Sequence, residues 1–222
     1  MGKVTKLRGI IAATMLAAVS QTAQAEGEPS RFNGFYAGLV GGYAAADETW
    51  GTAGTGGPAR ANLSLDGGLG GITVGHNWNM GDFVLGLEAD ATTLSLSDSN
   101  VCSGMAAICT VDLDAMVSAR ARVGFLFGTD SQFMAYATGG LSAAWIDVNN
   151  PGTGTTTNYT KATYTVGGGF EGYVLGTDWV STKLEYLYVG LDDARTYTIG
   201  AGTGTLDFDG IHVFRWGWNF QF

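Results

Sequence analysis

Proline, cysteine and histidine are scarce in this chain, whose 222 residues include three prolines, two cysteines and two histidines. Two cysteines cannot build the several disulfides that hold small secreted domains together. The cysteines have no additional cysteine and no nearby histidine, so a structural zinc site is not indicated. The sequence predicts no metal, no cofactor and no catalytic residue, and we expect the protein not to be an enzyme.

Basic residues are also in short supply, because 11 Lys and Arg stand against 20 Asp and Glu, for a formal net charge of −9. Binding to a phosphate backbone requires clustered Lys and Arg. Nucleic acid is therefore excluded as an expected partner. Beyond residue 25 the chain also lacks any apolar run of the roughly 20 residues that a membrane-spanning helix needs.

Residues 1–25 have the three parts of a secretory signal peptide. Three basic residues near the start are followed by an apolar run over residues 9–19 and by the small-x-small sequence AQA. We expect cleavage between Ala25 and Glu26, which leaves residues 26–222 as one mature domain. An ordinary buried helix is the alternative interpretation.

The C-terminal sequence FRWGWNFQF carries an aromatic residue at every second position. In a β-strand, alternate side chains point to opposite faces, so this segment has one aromatic face and one polar face. Lipid covers such a face in a membrane barrel, whereas a soluble sandwich would need another layer. We interpret the aromatic residues as an assembly signal for an outer-membrane barrel: Phe214, Trp216, Trp218, Phe220 and Phe222.

Segments with alternating side chains recur along the mature chain. We predict eight strands, at 35–46, 68–79, 83–94, 113–127, 133–145, 162–174, 179–191 and 208–222. The connections alternate between short turns and long stretches, as the periplasmic turns and outer loops of membrane barrels do. Lipid cannot form hydrogen bonds with the unpaired backbone N–H and C=O groups of an open sheet edge. The fold class is therefore predicted as all-β, an eight-stranded antiparallel up-and-down transmembrane β-barrel.

Charged residues in the middle of the predicted strands fall on the polar face of each strand. They are four acids and four bases: Glu88, Asp90, Arg120, Arg122, Glu171, Lys183, Glu185 and Arg215. An Arg or Lys that faced lipid at mid-bilayer would cost about 2–4 kcal/mol. An eight-stranded barrel has room inside only for side chains. We therefore expect a paired charge network that fills the barrel as a plug.

Two further residue pairs leave alternatives open. Cys102 and Cys109 lie in the second long connection, where an oxidising envelope favours a disulfide over free thiols or a metal site. His76 and His212 lie in predicted strands, at positions shared with aromatic residues. An interfacial role is expected for both, and a catalytic base at the outer leaflet is the alternative for His212, which would need a nearby Ser and a carboxylate.

The strand sequences together resemble a known family. The resemblance rests on FNGFYAGLVGGY, VGHNWNMGDFVLGLEAD, SARARVGFLF, FMAYATGGLSAAW, TVGGGFEGYV, KLEYLYVGLDD and FRWGWNFQF. The chain is similar to the small outer-membrane β-barrel proteins of alphaproteobacteria, an immunogenic and porin-like group related to the membrane barrel of outer membrane protein A. The chain ends at the barrel, so the peptidoglycan-binding domain of the latter is expected to be absent.

The resemblance implies a place in the outer membrane of a Gram-negative bacterium and a structural, surface-exposed role. The implied partners are outer-membrane lipid, lipopolysaccharide and the barrel assembly machinery. Two alternatives for the function remain open at this point. The polar interior suggests a pore for small solutes, and the long outer loops suggest binding of a surface ligand such as haem or a host component.

Overall fold

The backbone is described for residues 31–53, 60–101, 108–150, 155–190, 195–199 and 202–222 of a computed structural model. Side chains are described for 31–46, 66–95, 115–145, 160–190 and 210–222. The predicted signal peptide, with its cleavage site at Ala25 and Glu26, lies outside these residues, as does Cys102. Within these residues, no helix is both long enough and apolar enough to cross a membrane.

The described chain is almost entirely β-strand. The strands are β1 Gly34–Ala53, β2 Arg60–Asn79, β3 Phe83–Val101, β4 Ile108–Phe127, β5 Phe133–Asn150, β6 Thr155–Tyr173, β7 Val180–Gly190, β8 Arg195–Ile199 and β9 Gly202–Gln221. From β1 to β7 each strand pairs antiparallel with the next, and β9 pairs back onto β1. Both β7 and β8 pair with β9, so they share one position in the wall. The predicted eight-stranded antiparallel barrel is confirmed.

The strands are longer than predicted at one end of the barrel. Short turns, the start of β1 and the end of β9 define the turn end, where predicted and observed strand limits agree within about a residue. At the opposite end, here called the loop end, β1 continues to Ala53 instead of residue 46, and β2 begins at Arg60 instead of residue 68. The prediction failed there because backbone pairing sustains a hairpin without the apolar–polar alternation that marked the strands.

The alternation of side chains separates an apolar outer surface from a polar interior. On β3, Phe83, Leu85 and Leu87 are exposed by 54%, 42% and 55%, whereas the intervening Val84 is completely buried. Five tryptophans also face outward: Trp78, Trp145, Trp179, Trp216 and Trp218. A contiguous apolar surface of this kind requires a non-aqueous neighbour.

Interior glycines allow the wall to curve tightly. A β-carbon added at Gly42 on β1 would lie 2.1 Å from the carbonyl oxygen of Phe214 and 2.7 Å from Cα of Arg215, both on β9. A β-carbon at Gly68 on β2 would meet nothing within 4 Å. The seam between the first and last strands therefore has no space for a methyl group at Gly42.

Replacing Gly42 by Ala should destabilise the barrel by about 1–3 kcal/mol, the usual cost of overpacking. Gly68→Ala is the matched control and should change the free energy of unfolding by less than about 0.5 kcal/mol. Urea unfolding in lipid vesicles, followed by tryptophan fluorescence, measures both. Equal unfolding midpoints for the two variants would contradict the close approach at the seam.

Candidate functional site

Eight charged side chains meet inside the barrel, and we call them the ionic layer. They come from β3 (Glu88, Asp90), β4 (Arg120, Arg122), β6 (Glu171), β7 (Lys183, Glu185) and β9 (Arg215), and each is at most 5% exposed. Strand alternation directs all of them inward, because their neighbours in sequence occupy the outward positions. Four acids and four bases give the layer a formal net charge of zero.

Two arginines contact the same three carboxylates. Arg120 donates hydrogen bonds to Glu88, to Asp90 at 2.9 Å and to Glu185 at 3.2 Å. Arg215 donates to Glu185, to Asp90 at 3.1 Å and to Glu88 at 3.4 Å. Strand register contributes directly to this arrangement, since Glu88 pairs with Arg120 and Glu185 pairs with Arg215 on neighbouring strands.

Arg122 occupies a second part of the layer, closer to the turn end. Its guanidinium donates to Glu171 at 3.0 Å and to the side-chain oxygen of Asn77 at 2.9 Å. The guanidinium carbon lies 4.7 Å from the ring centroid of Tyr36 and 5.4 Å from that of Tyr136. Cation–π attraction is strongest where water is excluded, so the two rings offset part of the cost of burying this charge.

Neutral side chains complete the layer. Tyr36 donates to Glu88 at 2.8 Å, and Tyr136 donates to Glu185 at 3.1 Å. Glu171 accepts from Ser181 at 2.6 Å and from Asn219 at 2.7 Å. Sequence reasoning missed these partners, although they share the inward-facing parity of the charges and could have been found from it.

Lys183 links the two parts of the layer. Its ammonium donates to Glu88 at 2.7 Å, and its strand position is paired in register with Glu171. Buried charges are tolerated only when opposite charges and hydrogen bonds replace water. The ionic layer places every charge next to an opposite charge in a connected set of bonds across five strands, and the buried exceptions among its donors are Nε of Arg120 and Nη2 of Arg122, which have no hydrogen-bond partner among the described residues.

Apolar side chains cover the ionic layer on both sides. The loop-end cluster consists of Ala44, Ala46, Leu69, Leu94, Met116, Ala144, Leu187, Val189, Ile211 and Val213. The turn-end cluster consists of Phe32, Val84, Leu126, Met134, Tyr136 and Tyr173. The charges therefore lie in a dry interior with apolar groups towards either opening.

Phe32 closes the turn end from outside the strands. Its side chain is completely buried, and its φ of 55° is unusual for a bulky residue. Its backbone N–H donates to the hydroxyl of Tyr173 at 3.1 Å. The adjacent Arg31 forms a half-exposed ion pair with Asp178 at 3.0 Å. These contacts hold Arg31 and Phe32 across the mouth of the barrel.

The histidines lie among aromatic rings on the outer surface. Nδ1 of His212 is 2.7 Å from the hydroxyl of Tyr186, and its ring centroid is 5.4 Å from that of Tyr188. His76 lies between Phe35 and Trp78, with centroid distances of 4.3 and 4.6 Å. Among the described side chains, His212 contacts Tyr186 and Tyr188, and no described serine or carboxylate is bonded to it as a catalytic base requires.

The other predicted sites are the C-terminal assembly signal and the cysteine pair, of which the structure describes only a part. All five aromatic residues of the predicted assembly signal face outward, and the N–H of Phe222 donates to the carbonyl of Phe35 at 3.1 Å. The backbone of Cys109 lies in β4, paired in register with Asn100. The disulfide with Cys102 stays a prediction.

In the described part of the chain, no group of three or more His, Cys, Asp or Glu is arranged to hold a metal ion.

The sequence is similar to known outer-membrane proteins. The family described as outer membrane protein beta-barrel domain matches residues 11–209. The 31 kDa outer-membrane immunogenic protein of Brucella melitensis biotype 1 is 29% identical over 171 residues, covering 72% of this chain and 69% of the relative. The 22 kDa outer membrane protein of Rhizobium leguminosarum bv. viciae is 31% identical over 145 residues, covering 64% of this chain and 61% of the relative.

A solved structure shares the fold. The outer membrane protein OprG from Pseudomonas aeruginosa superposes with a TM-score of 0.54, covering 87% of this chain and 99% of OprG at 15% sequence identity. At that identity the likeness concerns the fold alone.

Replacing Arg120 by Ala should lower the free energy of unfolding by about 3–5 kcal/mol, because three carboxylates in a dry interior lose a shared cation. Arg31→Ala is the control, since removing one arginine from the half-exposed ion pair with Asp178 should cost about 1 kcal/mol or less. Urea unfolding midpoints in vesicles measure both changes. An Arg120→Ala midpoint equal to that of the unmodified protein would count against the ionic layer as a stabilising element.

Proposed function

The chain belongs to the outer membrane protein beta-barrel domain family and resides in the outer membrane of a Gram-negative bacterium, and we propose that it is a non-enzymatic structural protein with a surface-exposed loop end. Its work in this proposal is to occupy the membrane as a stable closed cylinder. It presents the hairpins of the loop end to the outside and binds no cofactor.

The observation that carries the proposal is the enclosure of the ionic layer between the two apolar clusters. Conduction would require water and ions to pass both clusters and to separate several buried ion pairs. Breaking one buried pair by removing a partner typically costs about 3–5 kcal/mol. An interior held in this way supports a role as a rigid support better than a role as an open conduit.

A pore for small solutes is the second candidate, and the polar interior favours it. Besides the eight charges, buried polar residues such as Thr92, Ser118, Thr138 and Asn219 face inward. Rotation of the arginine side chains away from their carboxylates would be needed to open a passage. The two candidate functions therefore differ in one respect: a pore requires the ion pairs of the ionic layer to separate under native conditions, and the structural role does not.

Binding of a ligand at the cell surface is a third candidate function for a protein of the outer membrane. The Brucella relative is named as immunogenic, which supports exposure of homologous barrels at the cell surface. Haem or a host component would have to be bound at the loop end. The described residues show no histidine directed to that end for haem ligation, because His76 and His212 face the outer surface of the wall.

Lipid and the assembly machinery are the proposed partners during biogenesis. The outward apolar face is suited to acyl chains, and its tryptophans to the membrane–water interfaces, where lipopolysaccharide meets the outer leaflet. The C-terminal aromatic residues belong to the part of β9 that pairs with both β1 and β7. We propose that the assembly machinery recognises this strand before the seam closes.

Purified protein in a planar lipid bilayer should give no steady ionic current, because the ionic layer and the two clusters fill the interior. A porin inserted into the same bilayer controls for the sensitivity of the recording. Reproducible, ion-selective openings would favour the pore and contradict the structural role.

Deletion of Phe222 should reduce the folded fraction in cells, since β9 loses its terminal aromatic residue and the N–H bonded to Phe35. Folded and unfolded protein are separated by heat-modifiable migration on gels of the outer-membrane fraction. Leu175→Ala is the control, because it removes an exposed apolar side chain from the same end of the barrel. Folded yield equal to the unmodified chain would refute an assembly role for Phe222.

A further inference from the structure

The outer surface of the barrel becomes polar towards the loop end of β9, β1 and β2. His212, Ala45 and Asp66 form one row across these three strands, because Ala45 is paired in register with both of the others. All three follow the outward parity of their strands, and His212 and Asp66 are exposed. The row therefore consists of an imidazole and a carboxylate with only a methyl group between them.

This row lies at the boundary between membrane and water. From Phe35 at the turn end to Ala45, β1 advances ten residues. A tilted transmembrane strand needs about 9–11 residues to cross the hydrocarbon of a bilayer. Asp66 and His212 are therefore at the level of the lipid headgroups, where polar side chains meet polar partners instead of acyl chains.

Asp66 is held in place by one oxygen and leaves the other available. Oδ2 accepts a hydrogen bond from the hydroxyl of Tyr43, whose side chain is also outward and 49% exposed. Oδ1 of Asp66 has no hydrogen-bond partner within the described part of the chain. A carboxylate oxygen in this state accepts hydrogen bonds from the hydroxyl groups of a ligand.

His212 is oriented by the neighbouring strand β7. Its Nδ1 lies 2.7 Å from the hydroxyl of Tyr186. When that hydroxyl donates to Nδ1, the ring carries its proton on Nε2, which bonds to none of the described residues. An N–H of this kind donates to a phosphate oxygen, and a hydrogen bond to an ionised acceptor is stronger than one between neutral groups.

A shallow apolar depression runs from this row towards the turn end. Gly41 on β1, with Gly68 and Gly70 on β2, forms its floor, and a β-carbon added at any of the three would have no neighbour closer than 3.8 Å. Phe214 and Trp216 of β9 border the depression and are exposed by 60% and 53%. The depression follows the direction of the strands across the membrane, so its shape suits one acyl chain.

We propose that this surface of β9, β1 and β2 binds one phosphorylated glycolipid of the lipopolysaccharide type. A phosphate of the headgroup accepts a hydrogen bond from His212, and sugar hydroxyl groups donate to Asp66. Ala45 leaves the space between these side chains open for the headgroup, and one acyl chain lies in the depression below. The inference rests on the surface exposure in the proposed function, because the loop end must face the outer leaflet.

The two polar side chains together select the headgroup. A phosphate without neighbouring donors would bond to His212 but would be repelled by the carboxylate of Asp66. A phosphorylated sugar presents an anionic group and several hydroxyl donors side by side, so it matches both. The exposed ring faces of Tyr43 and Phe214 are suited to the apolar face of a sugar ring. Phosphatidylethanolamine, which offers a phosphate and an ammonium group, is the discriminating comparison.

Native mass spectrometry of the full mature protein, titrated in detergent with bisphosphorylated lipid A, tests the proposal. One lipid A molecule should bind to each barrel before any further molecules do. Lipid A without its phosphates should bind about tenfold more weakly, which is the loss expected for one hydrogen bond to a charged group. Phosphatidylethanolamine and phosphatidylglycerol should also bind about tenfold more weakly, because neither presents a sugar to Asp66.

Three variants locate the site on the barrel. Ala45→Phe should fill the space for the headgroup, and His212→Ala and Asp66→Ala should each remove one of its polar contacts, so each should weaken lipid A binding by about tenfold. Ala143→Phe is the matched control, because Ala143 is an outward alanine ten residues from Phe133 at the turn end of β5, and it should leave binding unchanged. Heat-modifiable migration on gels confirms that each variant is folded.

Equal affinities of the Ala45→Phe and Ala143→Phe variants for lipid A would overturn the proposal. Binding of phosphatidylethanolamine or of dephosphorylated lipid A as tightly as bisphosphorylated lipid A would also overturn it. The planar-bilayer recording judges the proposed function separately. A folded, silent barrel that binds no lipid A would remove this site and leave the structural role standing, whereas a conducting barrel that binds lipid A would do the reverse.

Discussion

Pairing between β1 and β9 is the constraint on which the rest of the structure depends. Lipid offers no hydrogen bonds, so each backbone group of a membrane-spanning strand must find a partner within the protein. The register from Tyr36 with Gln221 to Ala53 with Thr203 closes the sheet on itself. Closure fixes which residues face inward, and the narrow interior then forces opposite charges into contact.

The interior buries many charges and yet has to remain stable, which are two demands that usually conflict. Buried charges cost free energy unless they are fully paired, and an apolar core of the same volume is often as stable. Here the charges form a network across five strands, with Arg120 and Arg215 each contacting the carboxylates of Glu88, Asp90 and Glu185. Such a network specifies the relative position of strands that are distant in sequence, which an apolar interior would fix less strictly.

Much of this arrangement could be predicted from the sequence because alternation is a local property. Phe83, Leu85 and Leu87 reveal their face without knowledge of any other strand, and so do Glu88 and Asp90, which follow on the opposite face. Parity identifies the inward-facing side chains, but which of them contacts which charge could not be predicted, since contact between Arg122 and Tyr36 depends on barrel closure and on rotamers. The extra strand length at the loop end was missed for a different reason. Residues 155–161, by which β6 begins earlier than predicted, have no apolar face in the sequence.

Disulfide trapping across the seam tests the central claim most directly. With Cys102 and Cys109 replaced by Ser, cysteines at Leu39 and Trp218 would face outward on paired positions of β1 and β9. Side chains in this relation lie close enough for a disulfide. A closed barrel predicts rapid, reduction-sensitive cross-linking of this pair and none between cysteines at Leu39 and Leu85, which lie on strands that are not neighbours. Absence of the seam cross-link in folded protein, or equal yields for the two pairs, would contradict closure.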